Sequence, residues 1–146
     1  MRAAEGGAGD PAARLRATLD SLLDPHVVLT AVRDGNGEIV DFEYTDANAA
    51  ACDYNGLSYD ELMGTHLLEF LPNHRSTGMF DRYKHLIETG EPLVIDDFVY
   101  PLERRGGQEV HFDIRGVALG DSIVYSWRDI TDRHEQMKAL REAERE

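Results

Sequence analysis

The stretch Ser122-Ile-Val-Tyr-Ser-Trp-Arg-Asp-Ile-Thr-Asp-Arg133 narrows what this chain can fold into. Ile123, Tyr125 and Trp127 alternate with Ser122, Val124, Ser126 and Arg128, the period-two pattern of a strand with one face in a core. At Asp129 the period changes. Asp129, Thr131 or Asp132 can cap a helix by accepting hydrogen bonds from its first unpaired amides, and the run from Arg133 onward consists of strong helix formers. A core strand therefore passes almost without slack into an exposed C-terminal helix, expected over 133–146.

Upstream, residues 1–10 are rich in Gly, Ala and Glu and are expected to be disordered. Over 11–24, Leu15, Leu19, Leu22 and Leu23 form one apolar helical stripe that Pro25 ends; the stripe packs either on its own domain or on a second copy. His26 to Arg33 and Glu38 to Asp46 read as two strands joined by the turn Asp34-Gly-Asn-Gly37. Helical segments follow over Ala47 to Cys52, Ser58 to Gly64 and His66 to Leu71, then a longer helix from Ser76 to Thr89. Ser58 with Glu61 is a capping-box pattern, while Met79, Phe80, Tyr83, Leu86 and Ile87 share one face of the long helix, with Gly90 just past its end. Leu93 to Leu102 and Gln108 to Leu119 complete a set of five strands. Three of the four connections between successive strands are too short for a parallel crossover. The expected fold class is α+β: a five-stranded antiparallel sheet with a helical insert on one face, between N- and C-terminal helices.

A chain of 146 residues that is 42% hydrophobic can bury one substantial core, placed here over 25–132. Its 15 Lys and Arg against 28 Asp and Glu leave a net charge of -13, a surface that repels phosphate backbones and anionic lipid, so neither nucleic acid nor membrane is an expected partner. No apolar run approaches the roughly 20 residues that span a bilayer, and no secretory signal precedes the domain. Cys52 is the only cysteine, which rules out an internal disulfide and suits the expected cytoplasmic location.

Asp129-Ile130-Thr131 with Arg133 resembles the turn that closes PAS sensor domains (the PAS/PAC sensor module of bacterial signalling proteins) and leads into their signalling helix. Asp46-Ala-Asn-Ala-Ala50 is similar to the family's motif after the second strand, Ser58 to Gly64 to its Ser-x-Glu-Glu-Leu-x-Gly segment, and Glu88-Thr-Gly-Glu-Pro92 to its exit from the long helix. The element order agrees, and the resemblance covers Leu22 to Arg133. It implies a sensory and regulatory module, homodimeric through its flanking helices. Such a module relays a change induced by a small-molecule ligand or a partner to a covalently linked C-terminal effector: a diguanylate cyclase or phosphodiesterase, a histidine kinase or a phosphatase. It also implies a signal relay through Asn48, Trp127, Asp129, Ile130, Thr131 and Arg133, with Asn48 tying the helical segment to the sheet.

Candidate walls of a pocket between sheet and long helix are Phe42, Tyr44, Phe70, Met79, Phe80, Tyr83, Phe112, Tyr125 and Trp127; the same residues also make a filled core. Flavin bound by the LOV cysteine mechanism is not expected, because alignment on Gly64 puts Leu67 at the family's cysteine and Cys52 lies in another element. Haem is not expected either: His85 points away from the apolar helix face, His74 lies in a polar stretch, and His66 reads as a capping or surface residue. No metal is assigned, since His26, His66, His74, His85, His111 and His134 show no paired ligand spacing. Arg82 reads as an exposed helix arginine or a contact to an anionic ligand. A salt bridge or capping contact is expected between Asp129 and Arg133, where a solvated pair contributes little more than roughly 1 kcal/mol. Two other functions fit: a small isomerase- or hydratase-type enzyme using Asp113, His111 or Asp97 as acid or base, and a ligand-free interaction domain. No nucleophile and base are legibly paired, so no catalytic residue is assigned.

Overall fold

The computed structural model describes residues 10–145. The expected disorder over 1–10 lies outside them except at Asp10, whose carboxylate accepts the Ala12 amide and starts helix α1, Pro11–Ser21. Pro11 suits the first helical position because its missing N–H would be unpaired there anyway. The helix stops three residues short of the expected 24. Leu22 is already extended, and the Asn48 side-chain amide donates to the carbonyls of Leu19 and Asp24, diverting the chain toward the sheet.

Strands β1 (His26–Arg33), β2 (Ile39–Ala47), β3 (Leu93–Leu102), β4 (Gln108–Leu119) and β5 (Ser122–Asp129) form one antiparallel sheet in the order β2-β1-β5-β4-β3. Strand β5 is central. Its alternation places Ile123 and Tyr125 in the core and leaves Trp127 half-buried at the end of that face. In the β1–β2 turn, Asp34 Oδ1 accepts the amides of Asn36 and Glu38, and Gly37 takes φ 82°, a conformation that favours glycine.

Between β2 and β3 lie α2 (Ala49–Asn55), α3 (Tyr59–Leu62), α4 (Leu67–Phe70), α5 (Asn73–Ser76) and α6 (Met79–Thr89). Ser58 and Glu61 form the expected reciprocal capping box on α3. The helix expected from Ser76 to Thr89 begins only at Met79: Ser76 ends α5, and Gly78, at φ 80°, breaks the hydrogen-bond ladder between the two. Met79, Phe80, Tyr83 and Leu86 face inward from α6, and Phe42 of β2 meets Phe80 and Tyr83 edge-on at 5.7 Å. This insert covers the concave face of the sheet. Helix α7 (Thr131–Glu144) leaves β5 after a single intervening residue, and no helix among the described residues is long and apolar enough to cross a membrane.

Candidate ligand cavity and its path to the C-terminal helix

A cavity of about 50 Å³ lies between the sheet and helices α2, α4, α5 and α6. That is space for a water molecule or two; pockets for larger small molecules run to roughly 300–1,000 Å³. Of the expected wall residues, Tyr44, Met79, Tyr83, Phe112, Tyr125 and Trp127 line it. Phe42, Phe70 and Phe80 do not. Phe42 and Phe80 pack on each other, with Phe42 behind the cavity-lining Tyr83, and half-buried Phe70 packs against Tyr44 at 6.3 Å.

Sequence reasoning missed several wall residues, of which Tyr54, Asn55, His74, Tyr100 and Arg104 carry polar side-chain atoms. His74 sits in a polar stretch, as expected, yet its own side chain is only 8% exposed, on α5, facing the cavity. Its neighbours Asn73, Arg75 and Ser76 hid this, because a one-turn helix gives no periodicity to read. Tyr100 Oη donates to Glu103 Oε2 at 2.5 Å and so accepts from His74 Nδ1 at 3.0 Å, leaving Nε2 to face Tyr83 Oη at 3.4 Å. Burial pushes the imidazole pKa down to about 4, so this histidine is neutral at pH 7. Burial likewise raises the phenol pKa of Tyr44, Tyr83 and Tyr125, and burial followed by the Glu103 hydrogen bond raises that of Tyr100. Trp127 Nε1 and Glu103 Oε1 are buried polar atoms without a hydrogen-bond partner among the described residues.

Tyr54 connects this cavity to the last helix. Its ring lines the cavity, meets Trp127 edge-on at 5.7 Å and Phe112 at 6.0 Å, and lies under the Arg104 guanidinium at 4.7 Å. Its hydroxyl donates to Asp129 Oδ2 at 2.7 Å. Asp129 Oδ1 accepts the Thr131 amide at 2.9 Å and the Thr131 hydroxyl, and Thr131 Oγ1 in turn accepts the His111 amide at 2.9 Å. The Ile130 amide donates to the His111 carbonyl at 2.8 Å. Burial alone would raise the Asp129 pKa, but hydrogen bonds from Thr131 and Tyr54 outweigh it and hold the carboxyl below its ordinary value. The salt bridge or capping contact expected between Asp129 and Arg133 does not form: Arg133 is exposed, and Asp129 instead takes the Thr131 amide and hydroxyl and the Tyr54 hydroxyl.

Asn48 is a second junction. Fully buried, its Oδ1 accepts the amides of His26 and Ala51, its Nδ2 donates to Leu19 and Asp24, and its own amide donates to His26. One side chain thereby joins α1, β1 and the start of α2. Arg16 adds a pair to Asp46 at 2.6 Å, and Arg128 grips Asp24 with two nitrogens at 3.2 and 2.9 Å.

The remaining candidates fall outside the cavity. Cys52 is half-buried against the core, His85 is 63% exposed at its side chain, His66 lies near Asp41 and Glu43 at the surface, and Arg82 is exposed. Asp97, His111 and Asp113 do meet, but on the outer face of the sheet, since His111 points opposite to the cavity-lining Phe112.

A central antiparallel strand feeding a helix directly, with short helices closing a small aromatic cavity over the sheet, is the architecture of a PAS-like α+β fold. The chain belongs to the PAS family: the family model described as PAS fold matches residues 26–135. The structure is similar to the PAS domain of BvgS from Bordetella pertussis (TM-score 0.60, 19% identity, 93% of this chain and 98% of that one). It also resembles a domain of a sensory box sensor histidine kinase/response regulator from Geobacter sulfurreducens (0.58, 20%, 84% and 100%). A third likeness is to the PAS domain of an HTR-like protein from Haloarcula marismortui (0.57, 20%, 82% and 96%). At these identities the likeness is one of fold. No curated protein matches the chain.

Proposed function

We propose that this chain is a sensory and regulatory relay in which a change at the aromatic cavity is passed through Tyr54 and Asp129 to α7, and so to a C-terminal effector. The observation that carries the proposal is that one cavity-wall residue, Tyr54, reaches the carboxylate that holds the first amide of α7. A ligand entering beside Trp127 presses on the Tyr54 ring, its edge-on neighbour, because about 50 Å³ admits no larger molecule unless a wall moves. Displacement removes the hydroxyl from Asp129 Oδ2, leaving the turn held by Thr131 and His111 alone and so looser. Asn48, Trp127, Ile130 and Thr131 belong to the same relay; Arg133 is an exposed residue on the emerging helix. An effector such as a diguanylate cyclase, phosphodiesterase, histidine kinase or phosphatase would read the helix angle, and a cytoplasmic homodimer formed through α1 and α7 would amplify it. Exposed Leu15, Met137 and Leu140 on those helices, with exposed Leu23 just past the end of α1, support the dimer.

Hydrogen exchange tests the relay. Tyr54→Phe should speed exchange of the amides of residues 131–134 while leaving the core strands protected; unchanged exchange there would sink it. The small cavity favours a second reading, a ligand-free interaction domain. Native mass spectrometry of the purified protein separates the two, since a ligand sensor carries bound mass and an interaction module is bare.

A further inference from the structure

We propose that Asp97, His111 and His134 form a transition-metal site, of the kind that takes Zn²⁺, and that the ion clamps the first turn of α7 to the outer face of the sheet. These three residues come from β3, β4 and α7, and the fold alone unites them. Asp97 lies in a bulge where the β3–β4 register shifts between Ile95 and Phe98. It is the single non-glycine residue with positive φ among those described, at 55°. Such a backbone is strained unless its surroundings hold it, and the Asp97 amide is held by Asp113 Oδ1 at 3.0 Å. The bulge turns the Asp97 carboxylate across the sheet so that each oxygen meets a different imidazole. Oδ1 lies 2.5 Å from His111 Nδ1, and Oδ2 lies 3.6 Å from His134 Nδ1. The two rings stack at 3.8 Å and 16°, and all three donor atoms fall within 4.8 Å of one another.

The donor chemistry selects the ion. Two imidazole nitrogens and one carboxylate oxygen suit Zn²⁺, Co²⁺, Ni²⁺ or Cu²⁺ and are poor for Mg²⁺ or Ca²⁺, which favour all-oxygen sets. Tetrahedral coordination with bonds near 2.0 Å puts donor atoms roughly 3.3 Å apart. The observed 2.5 and 3.6 Å, to the two different carboxylate oxygens, lie on either side of that spacing, and the stacked rings must turn about their side-chain torsions for both nitrogens to point at one ion. Partial exposure of His134 and Asp97, at 35% and 47%, provides an entry path and leaves a coordination position for water. The main chain of His111 is already fixed to Ile130 and Thr131, so an ion here would bind the beginning of α7 at a point independent of the cavity. Binding itself stands apart from the relay reading; only its effect on an effector rests on that reading.

The test uses untagged protein stripped of metal and titrated with Zn²⁺, and with Co²⁺ monitored by visible absorption. One ion per chain is expected, with affinity reduced at least about tenfold in His134→Ala and in Asp97→Asn and unchanged in the control His85→Ala. Circular dichroism melts of the metal-free variants establish that they are folded. In wild type, Zn²⁺ should slow amide exchange over 131–135, and His134→Ala should abolish that slowing. Absence of stoichiometric binding, or binding undiminished in both folded variants, overturns the site. Binding that leaves α7 exchange unaltered overturns the clamp. Because Tyr54 takes no part in coordination, failure of the relay would show in Tyr54→Phe and not in this titration.

Discussion

The Tyr54 hydroxyl donates to Asp129 Oδ2 across 2.7 Å, joining two residues 75 positions apart in sequence. The bond is partly buried and its acceptor is ionised, the combination in which a single hydrogen bond contributes most. Asp129 also anchors Thr131, so the pair couples the cavity wall to the helix start. A double-mutant cycle of Tyr54→Phe and Asp129→Asn should give a coupling of about 1–2 kcal/mol by urea unfolding. Additive effects would mean that the two residues act separately.

Asn48→Ala should be far more damaging than its size suggests. It strands the amides of His26 and Ala51 and the carbonyls of Leu19 and Asp24 inside the protein. The expected loss is about 3 kcal/mol, seen as a lower urea midpoint at unchanged slope. Proteolysis within α1 should also become faster, because its exit loses its tether.

Acid should destabilise the domain before its carboxylates titrate. His74 has a pKa near 6.5 when unfolded and about 4 when folded, so the unfolded chain binds the extra proton between those values. The corresponding stability is complete above pH 6.5 and is lost as pH falls toward 4, a total of about 3 kcal/mol. Burial lowers the pKa of His26 too, which adds in the same direction. Unfolding free energies at pH 7 and pH 5 should differ in wild type and differ much less in His74→Gln.

Leu15 and Leu23 are 61% and 94% exposed, an apolar surface that a second copy would cover. Light scattering should report a dimer for the wild type and a monomer for the double variant Leu15→Glu, Leu23→Glu. A wild type that is monomeric at high concentration would remove the flanking helices from the proposed mechanism.

Much of the frame was legible because its causes are local. Period-two alternation and turn residues place β1, β3 and β4 at their observed bounds, and Ser58 with Glu61 announces the cap of α3. The long helix misled for an equally local reason: the apolar face of α6 is clear, but only the backbone at Gly78 shows that the ladder breaks before Met79.

The chain's order of residues determined which segments are strands and helices, which face of each is apolar, and that β5 runs directly into α7, since these follow from dihedral preference and side-chain periodicity over a few residues. Tertiary structure alone decided that Tyr54 reaches Asp129, that His74 is buried against Tyr100, and that Asp97, His111 and His134 share one spot. Those contacts join side chains from different elements. No local pattern specifies them, because their distances are set by how the sheet is ordered and how the insert folds back across it.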